Sequence, residues 1–161
     1  MRARSLLLLL LLGGCHFFVP DTRTPADYAR EVAPRCTVFS EETVAPLLSP
    51  GAIDTVEPAY FHVQSGPGDR QARLRGARIH LQPFAGMSRE SIARGLECHE
   101  SRVVLGMTPV AHDPYALAGR WLDIEVESEK DGFVVDVGSD AIPTARDVLD
   151  RARQFAASAP R

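Results

Sequence analysis

Two short stretches of the sequence combine side chains that can bind a metal ion. Cys98 and His99 are adjacent in "LECHES", and His112 and Asp113 lie fourteen residues further along. Thiolate and imidazole groups are the ligands that zinc and copper prefer. However, adjacent helical residues project about 100° apart, and the sequence contains neither C-x₂₋₄-C nor H-x₃₋₅-H. A transition-metal site made of Cys98, His99 and His112, with or without Cys36, is therefore the alternative interpretation.

Nucleophilic catalysis is a further interpretation of the same residue types. Cys98 or a serine would be the nucleophile, and His80, His99 or His112 the base, but such a pair also needs a third group that orients the base. No G-x-S-x-G, H-E-x-x-H or S-x-x-K motif is present. We therefore expect a protein that is not an enzyme and predict no cofactor.

The elements that position these residues follow from the hydrophobic pattern. Alternation within "RQARLRGARIHLQP" and "RWLDIEVESEKDGFVVDVGS" predicts strands, the second stretch forming a hairpin with a turn at Asp131-Gly132. "AYFHVQ" predicts a strand that pairs with the first stretch across the turn "SGPGD". Helices are predicted from Ser88 onward and from Thr144 to Ala157, the latter capped by Thr144 and Asp147. Recurrent prolines limit residues 16–57 to two short helical turns.

This order of elements predicts an α+β fold, with a two-layer arrangement of an antiparallel sheet and two helices on one face. The succession β-β-α-β-β-α corresponds to a circularly permuted ferredoxin-like topology. We expect residues 58–161 to form this domain and residues 15–57 to form a tether and capping segment.

The polar face of the sheet is the candidate binding face. Its members are Arg78, His80, Trp121 and Asp123. A tryptophan among charged side chains indicates that something covers it. The cover is either the chain's own segment 36–57, through Leu47, Leu48 and Ile53, or a partner protein or ligand.

The N-terminus has the pattern of an export signal. Arg2 and Arg4 precede seven consecutive leucines, Leu6–Leu12, and then Gly13-Gly14-Cys15. The apolar run is shorter than the about 20 residues of a spanning helix and fits a signal peptide over residues 1–14. "LGGC" resembles the lipobox of bacterial lipoproteins. That resemblance implies a lipid on Cys15 that anchors the chain to a membrane, and His16 after it favours the outer membrane, with the domain in the periplasm or at the cell surface.

Cys36 and Cys98 are the two cysteines that remain besides Cys15. In an oxidising compartment such a pair is most simply one disulfide, although free thiols or a metal site stay open. Closing so large a loop stabilises a fold by about 4 kcal/mol in the chain-entropy model.

Composition narrows the range of partners. Without residues 1–14 the chain has 147 residues, with 16 basic and 21 acidic side chains and no basic run. This balance gives no electrostatic footprint for nucleic acid.

The stretches "LRGARIHLQPFAGMSRESIARGLECHES", "DPY", "RWLDIEVES" and "DGFVVDV" resemble a group of uncharacterised lipoproteins from deltaproteobacteria. The resemblance spans about residues 70–157 and implies no activity. We therefore predict a lipid-anchored envelope lipoprotein that acts as a non-enzymatic binding or structural module, with an envelope protein as the possible partner.

Overall fold

The computed structural model describes residues 22–66, 69–109 and 112–160. The predicted signal peptide and Cys15 lie outside these residues. The α+β class and the antiparallel sheet are confirmed. The described elements are α1 (Pro25–Val32), α2 (Glu41–Val44), β1 (Ile53–Gly66), β2 (Asp69–Leu81), α3 (Arg89–Val104), β3 (Asp123–Glu129), β4 (Gly132–Gly138) and α4 (Ile142–Ala157).

The four strands form one sheet in the order β1-β2-β4-β3, and every neighbouring pair is antiparallel. Alternation sends apolar side chains to one side. One such row across the sheet consists of Val56, Ile79, Val135 and Val126. Strands β2 and β4 approach closely at Gly76, where a Cβ atom would lie 2.0 Å from the carbonyl oxygen of Val137.

Helices α3 and α4 cover the apolar side of the sheet. Ile92 and Leu96 of α3 and Val148 of α4 are fully buried in the same core cluster as the strand residues Ile79 and Val135. Ser88 caps α3 by accepting a hydrogen bond from the backbone N–H of Ser91. The polar side of the sheet carries neither of these two helices.

The predicted start of α4 is wrong by two residues. The helix begins at Ile142, and its N-cap residue, Ala141, makes no side-chain cap. Pro143 lies in the first turn, where its lack of an N–H costs no hydrogen bond. Thr144 is consequently inside the helix and buried instead of capping it with Asp147.

The segment before the sheet folds onto α3. Thr24 and Asp27 form a reciprocal capping box that starts α1. Helices α1 and α2 and the 3₁₀ turn Ala33–Cys36 all contact α3. Gly95 permits the close approach of α2, because a Cβ atom there would lie 2.9 Å from Val44 Cγ1.

Two predicted features of the strands need correction. Strand β1 begins at Ile53, before the predicted start at Ala59. Pro58 obscured this start, although an edge strand tolerates a proline. In the second hairpin Glu129 pairs with Gly132, so Lys130 and Asp131 form the turn, one residue earlier than predicted.

Candidate functional site

The side of the sheet that α3 and α4 do not cover is called the open face. It carries a row of charged side chains that crosses all four strands. Strand register aligns four of its residues: Glu57, Arg78, Asp136 and Glu125. The neighbouring row consists of Thr55, His80, Val134 and Glu127. The predicted site residues Arg78 and His80 therefore do share one face.

Arg78 is the centre of the open face. Its guanidinium donates two hydrogen bonds to the carboxylate of Asp136, at 2.9 Å from Nε and 2.6 Å from Nη2. This fork geometry is the strongest form of an ion pair between these groups. The hydrogen bond and charge of Asp136 raise the pKa of Arg78, and the charges of Glu127 and Glu57 add to the effect.

A groove of about 280 Å³ lies on the open face beside Arg78. Arg75 lies at its wall, where Nη2 is 3.4 Å from Asp123 Oδ2 and 3.5 Å from Glu125 Oε1. The backbone stretch from Pro58 to Tyr60 lies at the edge of the groove, but Tyr60 pairs with Leu74, whose side chain packs against the helix-side core. Register therefore directs the Tyr60 side chain away from the open face. The walls of the groove carry charges of both signs.

His80 is at one end of the open face. Its Nδ1 lies 3.3 Å from Glu129 Oε2, whereas its Nε2 is buried without a hydrogen-bond partner among the described residues. His80 therefore does not converge with the pair His112-Asp113, because Asp113 is bonded to a residue of α3 on the helix side of the sheet.

Trp121 does not belong to the open face. Strand β3 begins only at Asp123, so the alternation does not extend to Trp121. The indole instead stacks on the ring of Tyr28, with centroids 5.9 Å apart. The chain does cover its own tryptophan, with α1 and with Cys36 at the start of segment 36–57, but not with the three residues that were predicted.

The residues predicted to cover the indole are elsewhere. Leu47, Leu48 and Ile53 belong to the main core or pack against it. Trp121 packs against a smaller cluster, made of Val32, Cys36 and Cys98. The predicted face therefore splits into two sites, with Asp123 at the border because it lines both the open-face groove and the groove beside Trp121.

The structure confirms that Cys36 and Cys98 lie at disulfide distance. The two sulfur atoms are 2.01 Å apart, and Cys98 is fully buried. The bond links the 3₁₀ turn after α1 to the middle of α3. It leaves no Cys98 thiolate for a metal ion.

His99 lies between two carboxylates. Its Nε2 bonds to Asp113 Oδ2, and its Nδ1 is 3.3 Å from Glu41 Oε2. Because both partners are acceptors, the ring is satisfied as an imidazolium that donates from both nitrogens. Burial lowers the pKa of His99, but the hydrogen bond and charge of Asp113 and then Glu41 outweigh burial and raise it.

This geometry disfavours both the metal and the catalytic interpretation of these residues. His112 is exposed and has φ of 61°, and no hydrogen bond or ion pair with His99 is found for it. Among residues 22–66, 69–109 and 112–160 there is no group of three His, Cys, Asp or Glu side chains arranged to hold a metal ion. Both nitrogens of His99 are engaged by carboxylates, so neither is free to accept a proton from a nucleophile.

Glu100 is a second buried ionisable residue, and it follows His99 directly in α3. It is 1% exposed, and one carboxyl oxygen accepts a hydrogen bond from the backbone N–H of Leu122. Burial raises the pKa of Glu100 to about 9, although the bond from Leu122 acts in the opposite direction. The side chain is therefore protonated at neutral pH and attaches the segment before β3 to α3.

Sequence reasoning missed several charged members of the open face, among them Glu57, Arg75 and Asp136. Asp136 could have been identified, because Val135 and Val137 were assigned to the apolar side and alternation leaves Asp136 on the other. Glu57 depends on a strand whose start was not recognised. The contact between Glu41 and His99 has no local sequence signal, because the residues are 58 positions apart.

Comparison of the chain with protein-family models, with curated proteins and with solved structures finds no match. None of the described helices is both long enough and apolar enough to span a membrane.

Proposed function

We propose that this chain is a lipid-anchored lipoprotein of the outer membrane whose folded module binds an envelope partner through the open face. The anchor rests on the sequence order of Arg2 and Arg4, the leucine run and "LGGC". The lipid on Cys15 would hold the module at the membrane without a spanning helix. The cysteine pair at disulfide distance agrees with an oxidising compartment outside the cytoplasm.

The finer topology that we propose is the permuted ferredoxin-like sandwich. The element order and the antiparallel strand order β1-β2-β4-β3 support it. In this interpretation β1 occupies the sheet edge that the last strand of a ferredoxin-like domain would fill. The permutation leaves the open face free of helices α3 and α4.

One observation carries the binding function: a groove lies on the open face, and Arg75, Asp123 and Glu125 form charged walls around it. Arginine is enriched at protein-binding surfaces, and the rims of such surfaces are polar. We propose a non-enzymatic role because the buried imidazole of His99 is engaged at both nitrogens.

The anchor is tested by growing cells that express the full chain with radioactive palmitate. We expect label on the wild-type protein and none on the Cys15→Ser variant, which should accumulate with its signal peptide attached. Label on the Cys15→Ser variant, or an unlabelled wild-type protein cleaved elsewhere, would refute the lipid anchor.

The binding face is tested by photo-cross-linking in the same cells. A Glu57→p-benzoylphenylalanine variant should give an adduct with a specific envelope protein, identified by mass spectrometry, because Glu57 is exposed and lies on the open face opposite Arg78. Val38 is the matched control site, since it is 74% exposed and lies between α1 and α2, away from the open face. The same adduct from both sites, or none from Glu57, would contradict binding through the open face.

A further inference from the structure

A further groove, called the α4 groove below, lies between the first turn of α4 and the loop that precedes β3. Its volume is about 300 Å³. It is lined by Leu117, Ala118 and Arg120 from the loop and by Pro143, Thr144, Asp147 and Arg151 from α4. It shares no lining residue with the groove on the open face, so it is a separate place on the molecule.

The first turn of α4 has backbone N–H groups without acceptors. Ala141 has the extended backbone of an N-cap residue, but its methyl side chain cannot accept a hydrogen bond. No acceptor among the described residues is found for the N–H groups of Ile142 and Thr144, and helical bonding begins with the N–H of Ala145. In a helix of 16 residues, such free donors and the positive end of the dipole favour an anion.

The side chain of Thr144 is an independent indication of a ligand. Thr144 is only 7% exposed, yet its hydroxyl group has no hydrogen-bond partner in the part of the chain that the structure describes. Its spacing from Asp147 and Arg151 places all three side chains on one face of α4, and all three residues line the α4 groove. Because buried hydroxyl groups are normally hydrogen-bonded, the free hydroxyl at this groove indicates a missing partner.

Arginine side chains make the α4 groove basic. Arg120 is exposed, and no ion pair of its guanidinium is found within 4.0 Å among residues 22–66, 69–109 and 112–160. Arg151 also lines the groove, and its Nε lies 3.1 Å from Asp147 Oδ1. Two guanidinium groups therefore face one carboxylate, and that carboxylate is already paired.

We infer that the α4 groove binds a phosphate group, with the Arg120 guanidinium, the Thr144 hydroxyl and the free N–H groups of the first helical turn as donors. These donors come from the loop, from a side chain and from the helix backbone. They approach from different directions, which suits the several oxygens of a phosphate group better than the two oxygens of a carboxylate. Because the groove is separate from the open face, phosphate binding there is independent of the proposed partner binding.

Thermal unfolding of the full-length lipoprotein in dodecyl maltoside measures binding, because a ligand of the native state raises the Tm. Inorganic phosphate and acetate are compared at about pH 7 and at equal ionic strength. We expect phosphate at about 10 mM to raise the Tm by at least about 2 °C and acetate by less than about 0.5 °C. Equal shifts with phosphate and acetate would overturn the phosphate site.

A soluble phospholipid distinguishes the two sources of a phosphate group. Dihexanoyl phosphatidylglycerol, used below its micelle concentration, presents the phosphodiester of a lipid headgroup. A Tm shift with this lipid supports a headgroup as the ligand, whereas a shift with inorganic phosphate alone supports a free phosphate compound. The absence of a shift with both probes would overturn the phosphate site.

Variants locate the contact in the α4 groove. Arg120→Gln and Thr144→Val should each weaken phosphate binding at least about fivefold, since each removes one donor. Arg146→Gln is the matched control, because Arg146 is exposed on α4 and does not line the groove. An equal loss in Arg146→Gln would show a general charge effect and overturn the assignment to this groove.

A further variant tests the first turn of α4 without removing a donor. The carboxylate introduced by Ala141→Asp is an N-cap acceptor and competes with phosphate for the same N–H groups. We expect a higher Tm in the absence of ligand, which also shows that the variant folds, and no further rise with phosphate. An undiminished phosphate shift in this variant would overturn the role of the helix N-terminus.

Discussion

The open face and the buried cluster beneath α3, which consists of His99, Glu100 and Asp113, contain the same residue types in opposite surroundings. On the open face, Glu125 and Glu129 project into water and keep their charge at little cost. Beneath α3, Asp113 is 8% exposed and Glu100 1% exposed. Asp113 accepts a hydrogen bond from His99, and Glu100 is held neutral. The difference teaches that exposure decides whether a carboxylate is available to a partner or committed to the fold.

We expect the largest loss of stability in the buried region when the cysteine pair is removed. The double variant Cys36→Ser and Cys98→Ser should lower the free energy of unfolding by about 4 kcal/mol, because a long loop is no longer closed in the unfolded chain. Denaturation by guanidinium measures this loss, and wild-type protein under strong reductant should show the same value. Unchanged stability in both cases would contradict a disulfide between these residues.

The imidazole between the two carboxylates gives the next largest effect. His99→Gln removes the positive charge and leaves Asp113 buried without it, which should cost about 3 kcal/mol of unfolding free energy. His80→Gln is the matched control, because its partner Glu129 is half exposed and the pair is worth less than about 1 kcal/mol. If the two variants lose equal stability, the contrast between the two regions is wrong.

The raised pKa of Glu100 predicts how the free energy of unfolding depends on pH. Its native pKa of about 9 lies above its ordinary value of 4.5, so between these values the native state holds a proton that the unfolded state has released. The unfolding free energy should therefore fall as pH rises, by about 1.4 kcal/mol for each pH unit. The raised pKa of His99 acts in the same direction above about 6.5.

Substitution isolates the contribution of Glu100. Glu100→Gln keeps the acceptor for the Leu122 N–H and should remove most of the slope between pH 5 and 6.5, leaving the His99 contribution above it. Glu90→Gln on the exposed surface of α3 should not change the slope in this way. Thermal unfolding across a pH series measures both variants, and parallel profiles for wild type and Glu100→Gln would show that Glu100 is ionised in the native state.

The smallest effect on stability is expected on the open face. Arg78→Gln breaks the bidentate pair with Asp136, but the Arg78 side chain is 45% exposed and water replaces the lost contact. We expect a loss below about 1 kcal/mol. A double-mutant cycle with Asp136→Asn measures the coupling, and a value above about 2 kcal/mol would mean that this pair belongs to the stabilising region.

Local periodicity made much of the fold predictable. The second hairpin alternates cleanly, since Ile124 and Val126 face the core together with Val135 and Val137. Helix α3 was recognisable from Ser88 and the stripe that includes Ile92 and Leu96. These signals reside within one element, so a single sequence contains them.

The candidate site was only partly predictable, because its decisive contacts join distant segments. In the sequence, Trp121 continues the alternation of β3. In the structure, the strand begins only at Asp123, and the indole of Trp121 stacks on Tyr28. The contacts of His99 with Glu41 and Asp113 depend on how α2 and the later loop pack on α3. Such packing has no counterpart in local spacing.

The bond between Cys36 and Cys98 also has a mechanical consequence for the proposed anchor. A pull on the tether enters the folded part through α1 and reaches Cys36, where the load divides between two covalent routes. One runs along the chain through α2 to β1, and the other crosses directly into α3. The bond joins residues 62 positions apart, and the loop that it closes cannot be extended in series with the tether. Strands β1 and β2, which carry Glu57, Tyr60 and Arg78, are thereby shielded from extension while the lipid end is under tension.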